Sequence, residues 1–191
     1  MRLFLAITPP PEILENVAAV QAQARAQLSF RGLRWERPEK WHITMQFLGS
    51  LDESLVPSLC AALAEIRNPP PFRAALADPG AFPSMRRPRV LWLGVDGDFT
   101  PLHQLHGGIV GATSTFASPA ETRKFTPHLT LARIPQPLRT PEVKAIEEWA
   151  QSAQPPSASW IVQDFELWQS TLGSGGSSYT LVQSFPLDRH A

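Results

Sequence analysis

Two pseudo-equivalent α/β lobes facing each other across a cleft are the architecture this sequence predicts. Three observations carry the prediction. The run His42-Ile43-Thr44-Met45 returns as His128-Leu129-Thr130-Leu131. The order strand, helix, His-x-Thr strand, helix, strand describes residues 2–82 and again residues 90–169, with a last strand over 179–185. Leu3 precedes His42 by nearly the interval at which Leu91 precedes His128, and the two histidines are separated by close to half of the 191 residues. The chain thus reads as one bilobal domain of residues 1–191, each repeat giving a His-x-Thr strand to a shared cleft, a common setting for ligand sites.

The elements follow in order. Arg2 to Ile7 is a buried strand, ended by Pro9-Pro10-Pro11. A helix opens at Pro11-Glu12, where proline and an acid suit a first turn, and Ile13, Val17, Val20, Ala24 and Leu28 form its buried stripe. Arg31, Arg34, Arg37 and Lys40 share a polar loop with Glu36 and Glu39, and the first His-x-Thr strand follows. In that strand Ile43, Met45 and Phe47 are expected on one face, His42 and Thr44 on the other. Leu51 to Ile66 predicts a helix with Leu55, Leu59, Leu63 and Ile66 on one side. Phe72 to Phe82 is a strand interrupted near Pro79-Gly80, Met85 to Arg89 a basic turn, and Val90 to Val95 an apolar strand.

In the second half a helix is expected over Pro101 to Ala112, and the second His-x-Thr strand starts at Pro127 with Leu129 and Leu131 inward. Pro141-Glu142 opens a helix that turns Val143, Ile146 and Trp149 inward. Trp160–Trp168 and Tyr179–Phe185 are the closing strands, joined by the loop Gly173 to Ser177.

Composition narrows the function. With 43% hydrophobic and 18% charged residues the chain is globular rather than disordered. Seventeen basic and seventeen acidic residues cancel, so nothing suggests a strong sequence-independent grip on long nucleic acid. A local patch for a few phosphates remains compatible with that balance. The single Cys60 rules out an internal disulfide framework, and on a helix beside Leu59 it reads as a packed thiol. The apolar run Leu3–Ile7 is too short for a signal-peptide core or a membrane span, so a cytoplasmic protein is expected.

Taken singly, a His-x-Thr is weak; the pair is harder to assign to chance. Two imidazoles can hold opposite protonation states near neutral pH, one as base and one as acid. Two hydroxyls beside them can donate to phosphoryl oxygens, where charge gathers in the transition state. Cleavage of a phosphodiester fits this set. Zinc would need three or four ligands, and neither motif has a Cys, Asp or Glu neighbour. His103-x-x-His106 places two imidazoles on one helical face with no further ligand nearby in sequence, so no metal or cofactor is expected. There is no Gly-x-Ser-x-Gly elbow and no Walker-type phosphate loop. Trp35 and Phe125 are the aromatic candidates for stacking on a base.

At this point the sequence resembles the two-histidine phosphoesterases, and within them the RNA 2′,3′-cyclic phosphodiesterases, also called 2′-5′ RNA ligases. The likeness spans nearly the whole chain: Met1–Ile7, Arg34-Trp35, His42–Gly49, Gly80–Pro83 with Arg87–Gly94, Pro127–Arg133, and Tyr179-Thr180 to Phe185-Pro186. The resemblance implies antiparallel sheets lining a central groove with helices outside, and metal-independent opening of an RNA 2′,3′-cyclic phosphate to a 2′-phosphomonoester. It implies His42 as proton donor, His128 as proton acceptor, and Thr44 and Thr130 as phosphate ligands. The expected partners are RNA ends or nucleoside 2′,3′-cyclic phosphates, with no membrane and a monomeric chain. Ligation through the same site without ATP, and non-catalytic retention of RNA ends, are the alternatives.

Two features strain the resemblance. Trp41 and Gln46 stand where leucine and lysine are expected, which puts a basic contact beside the first motif in doubt. Arg133 is a phosphate-ligand candidate, yet five residues after His128 a regular strand turns it to the opposite face. Either the strand ends or bulges there, or Arg133 serves the fold.

Overall fold

The computed structural model describes residues 1–67, 69–116, 124–173 and 176–187. Strand β1 (Arg2–Ile7) is buried from Leu3 onward. Proline in its first turn starts helix α1 (Pro11–Gln27), whose buried face comprises Ile13, Val17, Val20, Gln21 and Ala24. The basic loop contains a two-residue strand, β2 (Arg34–Trp35), and a 3-10 turn over Pro38–Lys40. Strand β3 (Ile43–Ser50) carries the first motif.

Helix α2 (Val56–Ala64) is shorter than expected. Pro57, which lacks an N–H, is accommodated only in a first turn, and a 3-10 turn over Glu53–Leu55 precedes it. Leu55 is consequently exposed, while Leu59 and Leu63 are buried. There follow β4 (Phe72–Phe82), β5 (Val90–Gly97), α3 (Phe99–Thr113), β6 (His128–Arg133) and α4 (Thr140–Ser152).

The stretch read as one strand from Trp160 to Trp168 is two, β7 (Ser159–Val162) and β8 (Asp164–Gly173). The burial phase explains the break at Gln163. Trp160 and Val162 face inward before it, Phe165 and Leu167 after it, so one uninterrupted pleat cannot bury both pairs. Strand β9 (Gly176–Pro186) finishes the chain, with Gly173 facing Gly176 across the hairpin; residues 174–175 of the expected Gly/Ser loop lie outside the described residues.

Every strand pair is antiparallel, in one sheet of order β7-β4-β5-β6-β3-β1-β8-β9 with β2 beside β6. At the centre β3 and β6 meet through one residue pair, Ile43 with Leu129. A four-strand lobe lies on each side of that seam: β3-β1-β8-β9 and β6-β5-β4-β7. The halves of the chain are interleaved between them. β4, from the first half, pairs with β5, and β8, from the second, pairs with β1. Helices interleave likewise, α2 beside α3 and α1 beside α4. The mixed α/β class and the antiparallel arrangement are as expected, while the lobes do not coincide with the repeats 2–82 and 90–169, since β4 joins the lobe of β6 and β8 that of β3.

Candidate active site

The seam between the lobes assembles the two motifs. Ile43 and Leu129 are buried and paired, so their strand neighbours point to the opposite face. Antiparallel geometry then sets His42 across from Thr130 and Thr44 across from His128. The two histidines occupy one diagonal of this quartet and the two threonines the other.

Both rings are oriented in the same way. His42 Nδ1 lies 2.8 Å from the Lys40 carbonyl, and His128 Nδ1 lies 2.7 Å from the Thr126 carbonyl. A carbonyl only accepts, so each Nδ1 carries the proton and each neutral ring leaves its Nε2 unprotonated. Thr44 Oγ1, 3.0 Å from His42 Nε2, donates to it. Aromatic walls hold the rings in place: Phe4 and Tyr179 stand 4.9 and 5.6 Å from the His42 ring, Phe82 and Trp92 stand 4.9 and 6.0 Å from His128. Trp92 lies directly over Gly80, where a Cβ would come within 2.2 Å of the indole.

Burial favours the neutral imidazoles. It is the main reason the His42 pKa falls from 6.5 to about 4; the Lys40 carbonyl opposes the shift, while the charges of His128 and Arg133 add to it. His128 is lowered too, by burial first and by Arg133, against the pull of the Thr126 carbonyl.

The strands then do what simple alternation does not predict. In β6 the ladder slips between Leu91 and Trp92, leaving Leu131 as an extra residue. Leu131 and Ala132 are both buried, and Arg133 emerges on the side of His128 and Thr130. The strand therefore bulges before Arg133. Strand β3 repeats the device: Met45 is the extra residue between the pairs Ala6–Thr44 and Leu5–Gln46. Met45 and Gln46 are buried, and Phe47 is 57% exposed on the His42 side. That corrects the expectation that Phe47 points away with Ile43 and Met45. Phe47 and Arg133 each follow their motif histidine by the same interval, so the duplication places an aromatic ring on one wall and a guanidinium on the other.

Further residues enter the site that sequence reasoning did not single out. Glu36 Oε2 holds Arg133 Nε at 3.5 Å, and its other oxygen lies 4.0 Å from Lys40 Nζ, which sits 5.8 Å from the Tyr179 ring centre. Gln21, buried on α1, donates through Nε2 to the carbonyls of Glu36 (2.8 Å) and Leu131 (2.9 Å), tying the β2 loop to the bulge. The adjacent apolar pair Leu131-Ala132 was the sequence's trace of that bulge.

Other candidates lie elsewhere. Gln46 accepts from Thr113 Oγ1 at 2.6 Å inside the core, and Trp41 is buried. Trp35 pairs with buried Ala132 and lies under Arg25 of α1, on the helix side of the sheet. Phe125 stacks on His106 at 4.1 Å and stands 5.8 Å from His103, which packs both imidazoles against an aromatic ring.

A duplicated α/β fold brings a His-x-Thr strand from each half to one seam, and the family match assigns that arrangement to the phosphoesterases. The chain belongs to the LigT like Phosphoesterase family, whose sequence profile matches it twice, over residues 7–92 and 94–179. It is similar to the RNA 2′,3′-cyclic phosphodiesterase of Thermus thermophilus, 32% identical over 194 residues covering 98% of this chain and 90% of that protein. The enzyme of the same description from Aquifex aeolicus is 30% identical over 175 residues, 90% of each chain. Among solved structures, TT0787 of Thermus thermophilus superposes with a TM-score of 0.79 at 28% identity, covering 99% of this chain and 98% of that one. Escherichia coli LigT complexed with 3′-AMP gives 0.74 at 27% identity, covering 97% of both. Among the described residues no helix is long and apolar enough to cross a membrane.

Proposed function

We propose that this phosphoesterase hydrolyses RNA 2′,3′-cyclic phosphate ends to 2′-phosphomonoesters by metal-independent acid–base catalysis. The observation that carries the reading is the matched pair of imidazoles on one face of the seam, each held through Nδ1 by a backbone carbonyl. His128 Nε2 takes a proton from water as its oxygen bonds to phosphorus. The P–O3′ bond breaks, and His42, protonated on Nε2, gives its proton to O3′. Each such general acid or base is worth about 10²–10⁴ in rate. Thr44, Thr130 and Arg133 receive the charge on the phosphoryl oxygens, at roughly 10²–10³ per well-aimed donor.

The names of the relatives and the nucleotide bound by LigT support an RNA terminus as substrate, and the ring needs the 2′-oxygen that DNA lacks. Phe47 gives the terminal base a face to stack on, worth about 1–3 kcal/mol. Incubation with a nucleoside 2′,3′-cyclic phosphate tests the reading. The expected product is the 2′-monophosphate, formed equally in EDTA, with His42→Ala and His128→Ala each at least about 10²-fold slower. Undiminished turnover in either folded variant overturns it.

A further inference from the structure

We propose that Arg34 on β2 and Arg86 with Arg87 in the β4–β5 turn form a rim that tracks the phosphates of the RNA strand on the 5′ side of the reacting end; the assignment rests on the hydrolase reading above. Two basic segments distant in sequence converge here, at the C-terminal end of β6. From one side, Arg34 is the ladder partner of Arg133. From the other, the Ile134 N–H donates to the Arg89 carbonyl at 2.8 Å, and Arg89 Nη1 donates to the Pro135 carbonyl at 3.2 Å. Arg34, Arg133, Val90 and Phe82 therefore make one row across β2, β6, β5 and β4 on the groove face, and Phe82 leads into the turn that carries Arg86 and Arg87.

Of the two charges in this row, Arg133 is paired with Glu36 and Arg34 is not. Cross-strand partners point to the same face, and like charges so placed repel. Glu36 serves Arg133 and Lys40. Among the described residues no carboxylate pairs with Arg34, Arg86 or Arg87, all of which are exposed. In a chain of zero net charge this local excess is a placed feature rather than a general basicity. Neighbouring strands are about 5 Å apart, so Arg34 stands one strand away from Arg133 on the side away from β5. An extended polyanion continuous with the reacting phosphate is the ligand this row fits, and in an RNA substrate it is the strand's own backbone.

The test compares cytidine 2′,3′-cyclic phosphate, which has no upstream phosphodiester, with an RNA hexamer ending in a cyclic phosphate. Wild type should favour the hexamer about tenfold or more in kcat/KM. R86Q/R87Q and R34Q should each lose several-fold of that preference through KM while the mononucleotide rate stays within about twofold. A wild type that treats the two substrates alike, or variants that lose both equally, overturns the rim. If wild type turns over neither substrate, the hydrolase reading fails, and binding of a labelled hexamer with a 2′-phosphate end decides the rim separately. There each variant should bind about tenfold more weakly, with the log–log salt slope reduced by about 0.7 for each phosphate contact removed. Unchanged affinity and slope overturn the proposal.

Discussion

Both motif histidines are set up as bases by their surroundings. Burial and the Arg133 charge keep each ring neutral at pH 7, so the acid in the proposed reaction must acquire its proton as substrate arrives. A phosphate anion placed between the rings reverses the sign of the local field and raises the pKa of the ring it touches. Binding of inorganic phosphate or 2′-AMP at pH 7 should therefore take up protons, seen as a calorimetric enthalpy that varies with the ionisation enthalpy of the buffer; no buffer dependence would contradict the mechanism. The same logic sets the rate profile. The optimum of kcat/KM, which reports the free enzyme, should lie below pH 6.5, and the optimum of kcat should lie at higher pH. Stability follows with the opposite emphasis. Between pH 6.5 and about 4 the unfolded chain binds a proton at His42 that the folded chain refuses, so stability falls as pH falls through that window. At pH 5 the loss is ~2 kcal/mol, and His42→Gln should show a smaller drop in Tm between pH 7 and pH 5 than wild type.

At the level of elements, the bulges in β3 and β6 decide which side chains reach the groove. Without them, alternation would bury Arg133 on the helix side and present Ala132 in its place. The Gln21 amide spans the β6 bulge from α1, and Glu36 then fixes the guanidinium. Gln21→Leu keeps the volume roughly but removes the donor to the Glu36 carbonyl and leaves the Leu131 carbonyl with the Glu36 N–H alone. It should cut kcat by about 10- to 10²-fold through misplacement of Arg133, with circular dichroism unchanged and Gln21→Glu, which offers no donor when ionised, failing to rescue. Gly80 is a second such position. Any side chain there meets the Trp92 indole, so Gly80→Ala should destabilise by about 1–3 kcal/mol and slow turnover by shifting the ring that flanks His128.

For the whole molecule, interleaving makes the two halves interdependent. Each lobe takes strands and helices from both halves, and one continuous core runs through them, including Leu5, Leu91, Leu129, Phe165 and Leu167. Residues 1–88 expressed alone would leave β4 without β5 and β1 without β8. That fragment should lack a cooperative thermal transition, whereas the full chain should unfold in a single one by calorimetry; two resolved transitions would refute the interdependence.

The element order, the buried stripes of α1 and α4, and the two His-x-Thr strands were legible in the amino-acid chain, because they depend on local periodicity and on residues adjacent to one another. The chain also contained the phase change from Trp160 and Val162 to Phe165 and Leu167 that splits β7 from β8, readable only once burial is known. Folding in three dimensions was needed to show that the lobes interleave, that Phe47 and Arg133 turn into the groove, and that Gln21, Glu36 and Tyr179 stand behind them. Register slips and strand order are set by what lies across the ladder, often more than a hundred residues away, and a period of two read along one strand carries no record of its neighbour.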